Sequence, residues 1–238
     1  MKTLDELKVK IFADGADLDG ILELYRNPHI TGFTTNPTLM RKSGISDYEK
    51  FSRQVLERIS DRPISFEVFS DEFAEMECQA RKIASWGKNV YVKIPVTNTR
   101  RESSVKLVRR LAAEGVKLNV TALMTLEQVS IVSKALEGHA PSYISVFAGR
   151  IADTGYDPVP LMKEAVEIMS PYQNQELIWA SPRELLNIFH ADEIGCHVIT
   201  VTYDILKKLV LVGKDLDEYS LDTVKMFYHD AQKAGYHI

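Results

Sequence analysis

Short apolar runs recur along the chain, and each is followed by a segment in which apolar residues return at helical spacing. The runs begin roughly 27 residues apart, and several helical segments end at a glycine, as at Gly87, Gly115 and Gly195. The predicted helices include Ser46–Ser60, Glu72–Trp86, Glu102–Glu114 and Leu126–Glu137. The predicted strands are Val9–Asp14, Gly32–Asn36, Ile64–Phe69, Val90–Val96, Leu118–Leu123, Tyr143–Gly149, Glu176–Ser181 and Val198–Tyr203. This number of strand–helix units in 238 residues matches the size of a (β/α)8 barrel.

An open, doubly wound sheet is the alternative to the barrel. Such sheets usually have about five to seven strands, and no G-x-G-x-x-G turn follows the first predicted strand here. No low-complexity stretch, charge block or linker divides the chain, so we predict one barrel domain over residues 1–238. Beyond the last strand–helix unit, Ser220–Gly235 has apolar residues at helical spacing, with Ser220 as a suitable N-cap. The chain should therefore end in an additional helix.

Polar and ionisable residues occupy the inward positions of several predicted strands. In Val90–Val96 the alternate residues are all aliphatic and should face the helices, so that Tyr91, Lys93 and Pro95 face the barrel interior. The same alternation directs further residues inward: Asp14, Glu67, Asn119, Thr121, Ser145 and Phe147. An ordinary barrel interior is filled by Val, Ile and Leu, and an unpaired buried charge costs several kcal/mol. A buried salt-bridge network without chemistry is the bland interpretation, but such residues at strand C-termini indicate an active site.

An inward lysine suggests a particular reaction. Burial disfavours the charged form of a lysine, and a neutral amine can attack a ketone to give a Schiff base that accepts electrons when the neighbouring carbon–carbon bond breaks. Glu67, with the Thr121 hydroxyl and a water molecule, could carry the protons for dehydration, and Asp14 could take a proton beside the cleaved bond. Asn36 and Asn119 would hold the other sugar hydroxyls. A solvent-facing edge lysine is the alternative for Lys93, and its apolar flanks argue against it.

A second cluster follows the sixth and seventh strands. Gly149-Arg150 and Ser181-Pro-Arg183 bring two arginines and a hydroxyl to loops at one end of the predicted barrel. Arginine forks suit phosphate oxygens, and barrels often bind phosphate with loops near these strands. The pattern favours a phosphorylated substrate over two unrelated surface arginines.

Composition narrows the class of protein and its partners. Hydrophobic residues make up 45% and charged residues 26%, as in globular proteins, and apolar runs reach only about four residues, too short to span a membrane. The net charge is −4 with scattered basic residues, so nucleic acid and anionic membranes are poor candidates as partners. The histidines show no metal-binding spacing. The N-terminus lacks a signal-peptide core, and Cys78 and Cys196 are expected to be buried thiols of a cytoplasmic protein.

Four segments, together with Asp14 and Glu67, resemble the motifs of one enzyme family and occur in the same order along the chain. They are Gly32-Phe-Thr-Thr-Asn-Pro-Thr38, Val92-Lys-Ile-Pro-Val-Thr97, Ser145-Val-Phe-Ala-Gly-Arg-Ile-Ala-Asp153 and Ala180-Ser-Pro-Arg183. On these segments the chain resembles the transaldolase family over nearly its whole length. The resemblance implies a (β/α)8 barrel of the class I aldolase type that needs neither cofactor nor metal.

The resemblance also implies an activity and residue roles. Such enzymes move a dihydroxyacetone unit from a ketose phosphate, such as fructose 6-phosphate or sedoheptulose 7-phosphate, to an aldose phosphate, as in the pentose phosphate pathway. Lys93 would form the Schiff base, Glu67 and Thr121 would relay protons, and Asp14 would be the acid/base at the cleaved bond. The implied substrate and phosphate ligands are Thr35, Asn36, Asn119, Ser145, Phe147, Arg150, Ser181 and Arg183.

The chain length is similar to that of the short subfamily, which also contains fructose-6-phosphate aldolases. Its members often form pentamers or decamers in which the C-terminal helix reaches a neighbour, so the resemblance implies a homo-oligomer. Aldolase-type members tend to have Gln at the position of Glu67 and Tyr at that of Phe147, so both residues here resemble a transaldolase. An aldolase that releases free dihydroxyacetone remains the alternative, as does a sugar-phosphate-binding barrel without catalysis.

Some positions differ from the family pattern. Many relatives have Pro in strand eight, where this chain has Ile199-Thr-Val-Thr-Tyr-Asp204, and Trp179 and Pro182 flank Ser181. We expect these differences at the substrate mouth, with Tyr203-Asp204 as a possible specificity element. They leave the donor and acceptor open, and a modified ketose such as a C6 sulfonate is a further candidate donor.

Overall fold

The computed structural model describes residues 2–237, and within them eight parallel strands form a closed barrel in chain order. The strands are β1 (Lys10–Asp14), β2 (Ile30–Thr34), β3 (Ile64–Glu67), β4 (Val90–Pro95), β5 (Leu118–Leu123), β6 (Ser142–Val146), β7 (Gln175–Trp179) and β8 (Val198–Thr202). The helices are α1 (Leu18–Tyr25), α2 (Pro37–Lys42), α3 (Tyr48–Arg58), α4 (Phe73–Ala84), α5 (Val105–Ala113), α6 (Leu126–Ala135), α7 (Ala148–Ala152), α8 (Pro158–Met169), α9 (Leu186–Glu193), α10 (Tyr203–Leu206) and α11 (Leu216–Ala234). The predicted (β/α)8 fold with a C-terminal helix is confirmed.

Strand register brings the predicted site residues side by side. Glu67 of β3 lies opposite Lys93 of β4, and Lys93 lies opposite Asn119 of β5. Two residues further along, Pro95 pairs with Thr121. Glu67 ends β3 and Thr121 lies in the C-terminal half of β5, whereas Lys93 and Asn119 lie deeper, so these side chains line the barrel interior below its C-terminal mouth.

Two separate apolar clusters lie on the two sides of the barrel wall. The larger fills the space between strands and helices and includes Val92, Ile94 and Leu177. The smaller lies inside the barrel and consists of Phe12, Tyr143, Ile178, Ala180 and Val198. Neighbouring residues of a strand fall in different clusters, so the predicted alternation of side chains is present.

The inner cluster forms a floor beneath the polar side chains. Phe12 packs edge-on against Tyr143, with ring centres 5.5 Å apart, and Tyr143 lies 4.3 Å from the ring of Tyr91. Gly32 leaves room for this packing, because a Cβ at that position would lie 2.5 Å from the Phe12 ring. The polar residues at the mouth therefore rest on a packed aromatic layer.

Six of the predicted strands extend one to three residues too far toward the mouth, and three of them run up to or into a helix. Asn36 is the N-cap of α2, Phe147 immediately precedes α7, and Tyr203 is the first residue of α10. At Asn36 the cause is local, because its side chain accepts a hydrogen bond from the N–H of Leu39 at 3.0 Å and Pro37 follows as the first helical residue. The mouth is therefore formed by strand-to-helix junctions.

The C-terminal helix begins earlier than predicted. Residue Asp215, not Ser220, is the N-cap, and its carboxylate accepts hydrogen bonds from the N–H groups of Asp217 and Glu218. The negative charge of a carboxylate at a helix N-terminus is also stabilised by the positive end of the helix dipole, which explains why the helix starts at Asp215. Gly235 ends the helix in the left-handed conformation, at φ 67°. None of residues 216–234 is buried.

The two cysteines differ in exposure. Cys196 is buried, as predicted, whereas Cys78 is exposed, so the prediction of a buried thiol was wrong for Cys78. Cys78 lies on α4 between Met76 and Ala80, which are the residues that face the core. Among residues 2–237, no helix is long and apolar enough to cross a membrane.

Candidate active site

Lys93 lies inside the barrel close to a carboxylate. Its side chain is only 7% exposed, and its Nζ atom lies 3.3 Å from Oε2 of Glu67. Nζ also donates a hydrogen bond of 2.9 Å to the carbonyl oxygen of Thr35. The Glu67 side chain is more accessible, at 17% exposed. The pair thus places an amine in contact with a carboxylate inside the barrel, and the carboxylate is the more accessible of the two.

Asn119 and Ser145 form a hydrogen-bonded chain beside Lys93. The Ser145 hydroxyl donates to Oδ1 of Asn119 at 2.7 Å, and Nδ2 of Asn119 donates to the hydroxyl of Ser65 at 3.0 Å. All three residues are buried. The structure therefore brings two predicted substrate ligands together and adds Ser65, an inward residue of β3 that the sequence analysis did not identify.

The Thr121 hydroxyl differs from its neighbours. It is buried and has no hydrogen-bond partner in the described part of the chain. Leaving a buried hydroxyl unpaired costs about 1–3 kcal/mol, so such an atom in a polar site is a candidate contact for substrate or water. Ala122, the next residue, has a positive φ of 65°, a strained conformation of the kind that clusters at functional sites.

Asp14 stands at the end of β1 in a network of hydroxyl groups. Thr34 donates a hydrogen bond of 2.8 Å to Oδ1, and Nδ2 of Asn36 lies 3.4 Å from Oδ2. The Thr34 hydroxyl also lies 2.5 Å from the hydroxyl of Thr200 on β8. Because Thr34 donates its proton to Asp14, Thr200 must donate to Thr34.

This environment changes the acidity of Asp14. Burial raises the pKa of its carboxyl above the ordinary range, whereas the charge of Lys93 and the hydrogen bond from Thr34 lower the pKa in part. Thr34 and Thr200 were missed by the sequence analysis, although the alternation of β2 and β8 would have placed both side chains inside the barrel.

The loops after β6 and β7 are packed tightly together. A Cβ at Gly149 would lie 1.5 Å from the carbonyl oxygen of Ser181, so no larger residue fits without moving the backbone. Ser181 has a positive φ of 60°. A strained non-glycine residue held in place by a close backbone contact is a feature of ligand-binding sites.

The two predicted phosphate-binding arginines differ in their contacts. Arg183 donates through Nε to Oδ1 of Asp153 at 2.9 Å and through Nη2 to the other carboxylate oxygen. This bidentate contact lowers the pKa of Asp153. Arg150 makes no ion pair within residues 2–237, and its guanidinium carbon lies 5.9 Å from the centre of the Phe147 ring. Arg150 is therefore the one of these two arginines that has no direct carboxylate contact, although its charge also lowers the pKa of Asp153.

Trp179 and Tyr203 were both expected at the substrate mouth, and only Tyr203, directly after β8, lies there. Trp179 is fully buried in the outer cluster, between the barrel and the helices, because it has the same orientation as Leu177 on β7. Its predicted location at the mouth was wrong. Tyr203 donates a hydrogen bond of 2.8 Å to Glu23 of α1, so its hydroxyl is used in helix packing. Pro182 is buried next to Ser181.

Comparison with solved structures defines the class of fold. The barrel is similar to the crystal structure of 2,3-dimethylmalate lyase, with a TM-score of 0.54 over 98% of this chain and 86% of that one, at 12% identity. It is also similar to a putative lyase/mutase from Burkholderia cenocepacia J2315, with a TM-score of 0.58 over 97% and 85% of the two chains, also at 12% identity. At this identity the likeness establishes a (β/α)8 barrel and no activity.

Sequence comparison goes further. Residues 11–238 match the profile of the transaldolase/fructose-6-phosphate aldolase family. A probable transaldolase of Dehalococcoides mccartyi is 34% identical over 203 residues, which cover 85% of this chain and 90% of the relative. A second relative, probable transaldolase 2 of Listeria monocytogenes, is 36% identical over 84% of this chain and 88% of its own. The chain belongs to the transaldolase/fructose-6-phosphate aldolase family.

Proposed function

We propose that the protein is a transaldolase that works through a Schiff base on Lys93. The observation that carries the proposal is the 3.3 Å approach of the Lys93 amine to the Glu67 carboxylate inside the barrel. Thr121 with its unpaired hydroxyl and Asp14 with its raised pKa lie on the same inner surface. An amine, a proton carrier and a second acid/base at one mouth are what this reaction requires.

The steps follow from these positions. The Lys93 amine attacks the ketose carbonyl, and Glu67 with Thr121 and a water molecule supplies and removes the protons that convert the carbinolamine to an imine. Asp14 takes the proton of the hydroxyl beside the bond to be cleaved, the carbon–carbon bond breaks, and its electron pair moves into the imine to give an enamine on Lys93. The aldose phosphate leaves. A second aldose then accepts the three-carbon unit in the reverse sequence, and hydrolysis frees Lys93.

The contacts of the mouth favour a phosphorylated sugar. Arg150 has no direct carboxylate contact, and Ser181 and Arg183 pack against the preceding residue, Gly149, with Arg183 fixed in orientation by Asp153. The proposed ligands of the sugar are Thr35, Asn36, Asn119 and Ser145. Thr35 also accepts a hydrogen bond from Lys93 through its carbonyl oxygen. We propose ketose phosphates of the fructose 6-phosphate and sedoheptulose 7-phosphate type as donors.

Transfer is preferred over release because of the residues near the imine. Phe147 contributes an apolar ring where a tyrosine would contribute a hydroxyl close to the hydrolytic water, so the enamine should survive until an aldose arrives. The alternative, an aldolase, would release free dihydroxyacetone whether or not an acceptor is present. Product analysis with and without an aldose phosphate distinguishes the two activities.

Borohydride trapping with fructose 6-phosphate tests the proposal. A reduced dihydroxyacetone or hexose adduct should appear in the intact mass and map to the peptide that contains Lys93, and Lys93→Met should abolish it. An adduct on another lysine, or none in a folded protein with either fructose 6-phosphate or a C6-sulfonated ketose, would refute the Schiff-base assignment.

We also propose that residues 1–238 act as one domain within a homo-oligomer. The α11 helix exposes an unusual number of large apolar side chains, and exposed apolar patches of this kind mark interaction surfaces. They include Leu216, Leu221, Val224, Met226, Phe227 and Tyr228. Light scattering on the native chain and on a Val224→Glu/Phe227→Glu variant measures this directly. The variant should have a lower mass, and a native monomer would contradict the proposal.

A further inference from the structure

The hydroxyl of Tyr48 makes hydrogen bonds to both backbone polar groups of Glu67. It accepts a hydrogen bond of 2.7 Å from the N–H of Glu67 and donates one of 2.9 Å to the carbonyl oxygen of the same residue. Burial raises the pKa of the Tyr48 phenol, so the hydroxyl keeps its proton and can donate and accept at once. Its two hydrogen bonds thus both go to the residue whose side chain faces Lys93.

These bonds take the place of a missing strand. In a parallel strand, the N–H and carbonyl of one residue point to the same neighbour. The backbone groups of Ser65 point toward β2, since the N–H of Thr35 donates to the Ser65 carbonyl. Those of Glu67, two residues on, point the same way, whereas the N–H of Val68 points toward β4 and donates to the carbonyl of Lys93. The pairing of β2 with β3 ends at Thr34 and Ser65, and the chain then turns into α2. Tyr48 supplies the hydrogen-bond donor and acceptor that β2 no longer provides for Glu67.

Tyr48 itself is rigidly placed. It is the first residue of α3, whose N-cap Asp47 accepts a hydrogen bond from the N–H of Lys50. Its ring lies 5.4 Å from that of Phe69 and 6.1 Å from that of Trp86, centre to centre. A capped helix end and aromatic neighbours therefore fix the hydroxyl, and the hydroxyl fixes the last residue of β3.

We propose that Tyr48 is a positioning residue for Glu67, holding the end of β3 so that the Glu67 carboxylate stays against the Lys93 amine. The inference rests on the proposed function of Glu67 as the proton relay. Without the two bonds, the N–H and carbonyl of Glu67 lose their partners and the strand end is free to move. A small displacement of a reacting group can cost up to about 100-fold in rate.

The first test is kinetic. Tyr48→Phe keeps the ring and removes the hydroxyl, and it should slow imine formation at Lys93 about tenfold or more while changing KM for fructose 6-phosphate less. Tyr25→Phe is the matched control, because the Tyr25 hydroxyl bonds to Asp61 on the surface. In a Glu67→Gln background, Tyr48→Phe should have little further effect. Equal slowing in both backgrounds would mean that Tyr48 does not act through Glu67 and would overturn the proposal.

The second test does not depend on the reaction. The free-energy coupling between Lys93 and Glu67, measured by unfolding of the single and double variants, should fall when Tyr48 is replaced by Phe. An undiminished coupling would overturn the positioning role. If Tyr48→Phe does not fold, 4-fluorophenylalanine at position 48 fills the volume of the hydroxyl but has no proton to donate, and it should lower the rate and the coupling; values equal to wild type would again overturn the proposal.

The two tests separate the two ideas. Failure of the wild-type protein to form an imine on Lys93, together with a reduced coupling in Tyr48→Phe, would refute the proposed function and support the positioning of Glu67. Imine formation in wild type that Tyr48→Phe leaves unchanged would support the proposed function and refute the role of Tyr48.

Discussion

Replacement of Lys93 by Met should remove the amine and also disturb the charge balance of the site. Methionine fills a similar volume, so the main change in stability comes from the carboxylates that lose their cation. At the observed 3.3 Å, two unit charges attract by about 5 kcal/mol at an effective dielectric of about 20 and by about 1 kcal/mol in water. Because the Glu67 side chain retains some contact with solvent, we expect a coupling of about 2 kcal/mol between Lys93 and Glu67.

Urea unfolding of wild type, Lys93→Met, Glu67→Gln and the double variant measures this coupling. The double variant should be more stable than the sum of the single losses predicts, because Gln removes the charge that Met leaves unpaired. The loss in Lys93→Met should be largest at neutral and alkaline pH and should shrink as acid neutralises Asp14, because Lys93 lowers the pKa of Asp14 and its removal raises that pKa further.

Two results would refute this reasoning. A coupling within about 0.5 kcal/mol of zero would mean that the Lys93–Glu67 contact contributes no net electrostatic energy. A loss that is the same at pH 5 and pH 8 would mean that the destabilisation of Lys93→Met comes from packing and not from unpaired carboxylates. Loss of activity in Lys93→Met is expected in either case, so the stability data test the electrostatics separately from the chemistry.

Three further substitutions test other parts of the site. Gly149→Ala forces a methyl group onto the Ser181 carbonyl and should destabilise the protein by roughly 1–3 kcal/mol in urea unfolding. Thr34→Val removes the hydrogen bond that lowers the pKa of Asp14, so that pKa should rise and the acidic limb of the kcat/KM profile should move to higher pH. Arg150→Ala should raise KM about tenfold or more for phosphorylated donors and much less for unphosphorylated ones.

Each substitution has a matched control. Gly15→Ala adds a methyl group that meets nothing within 4 Å, and equal stability of the two alanine variants would contradict the steric argument. Thr223→Val removes a surface hydroxyl bond on α11 and should leave the pH profile unchanged. Arg109→Ala removes an exposed charge from α5, and an equal effect of both arginine substitutions on KM would show that Arg150 does not contact the phosphate.

The parts of the site that follow strand alternation could be predicted from sequence. Val92 and Ile94 identify the helix-facing side of β4 without ambiguity, so the inward direction of Lys93 follows from a period of two residues. The same rule applied to β7 would have placed Trp179 beside Leu177 on the outer side. Proximity to Ser181 in the sequence does not determine which side of the sheet Trp179 faces, because neighbouring residues of a strand point to opposite sides.

The remaining features depend on contacts that no periodicity encodes. Tyr48 meets Glu67 through a hydroxyl–backbone contact across 19 residues, and Arg183 meets Asp153 across 30. The start of α11 was missed for a different reason: Asp215 and Ser220 are both good N-caps, and the helix extends to the earlier one. Such choices depend on the packing of the folded chain.

The seam of the barrel has a consequence for how the site comes into existence during synthesis. Asp14 is made among the first residues, yet its hydroxyl network extends through Thr34 to Thr200, which belongs to the last strand. A chain that is still emerging from the ribosome already contains the amine and its carboxylate partner, but it lacks the element that completes the surroundings of Asp14. The surroundings of Asp14 are therefore complete only when the final strand lies between its two neighbours, so the proposed activity requires a closed barrel.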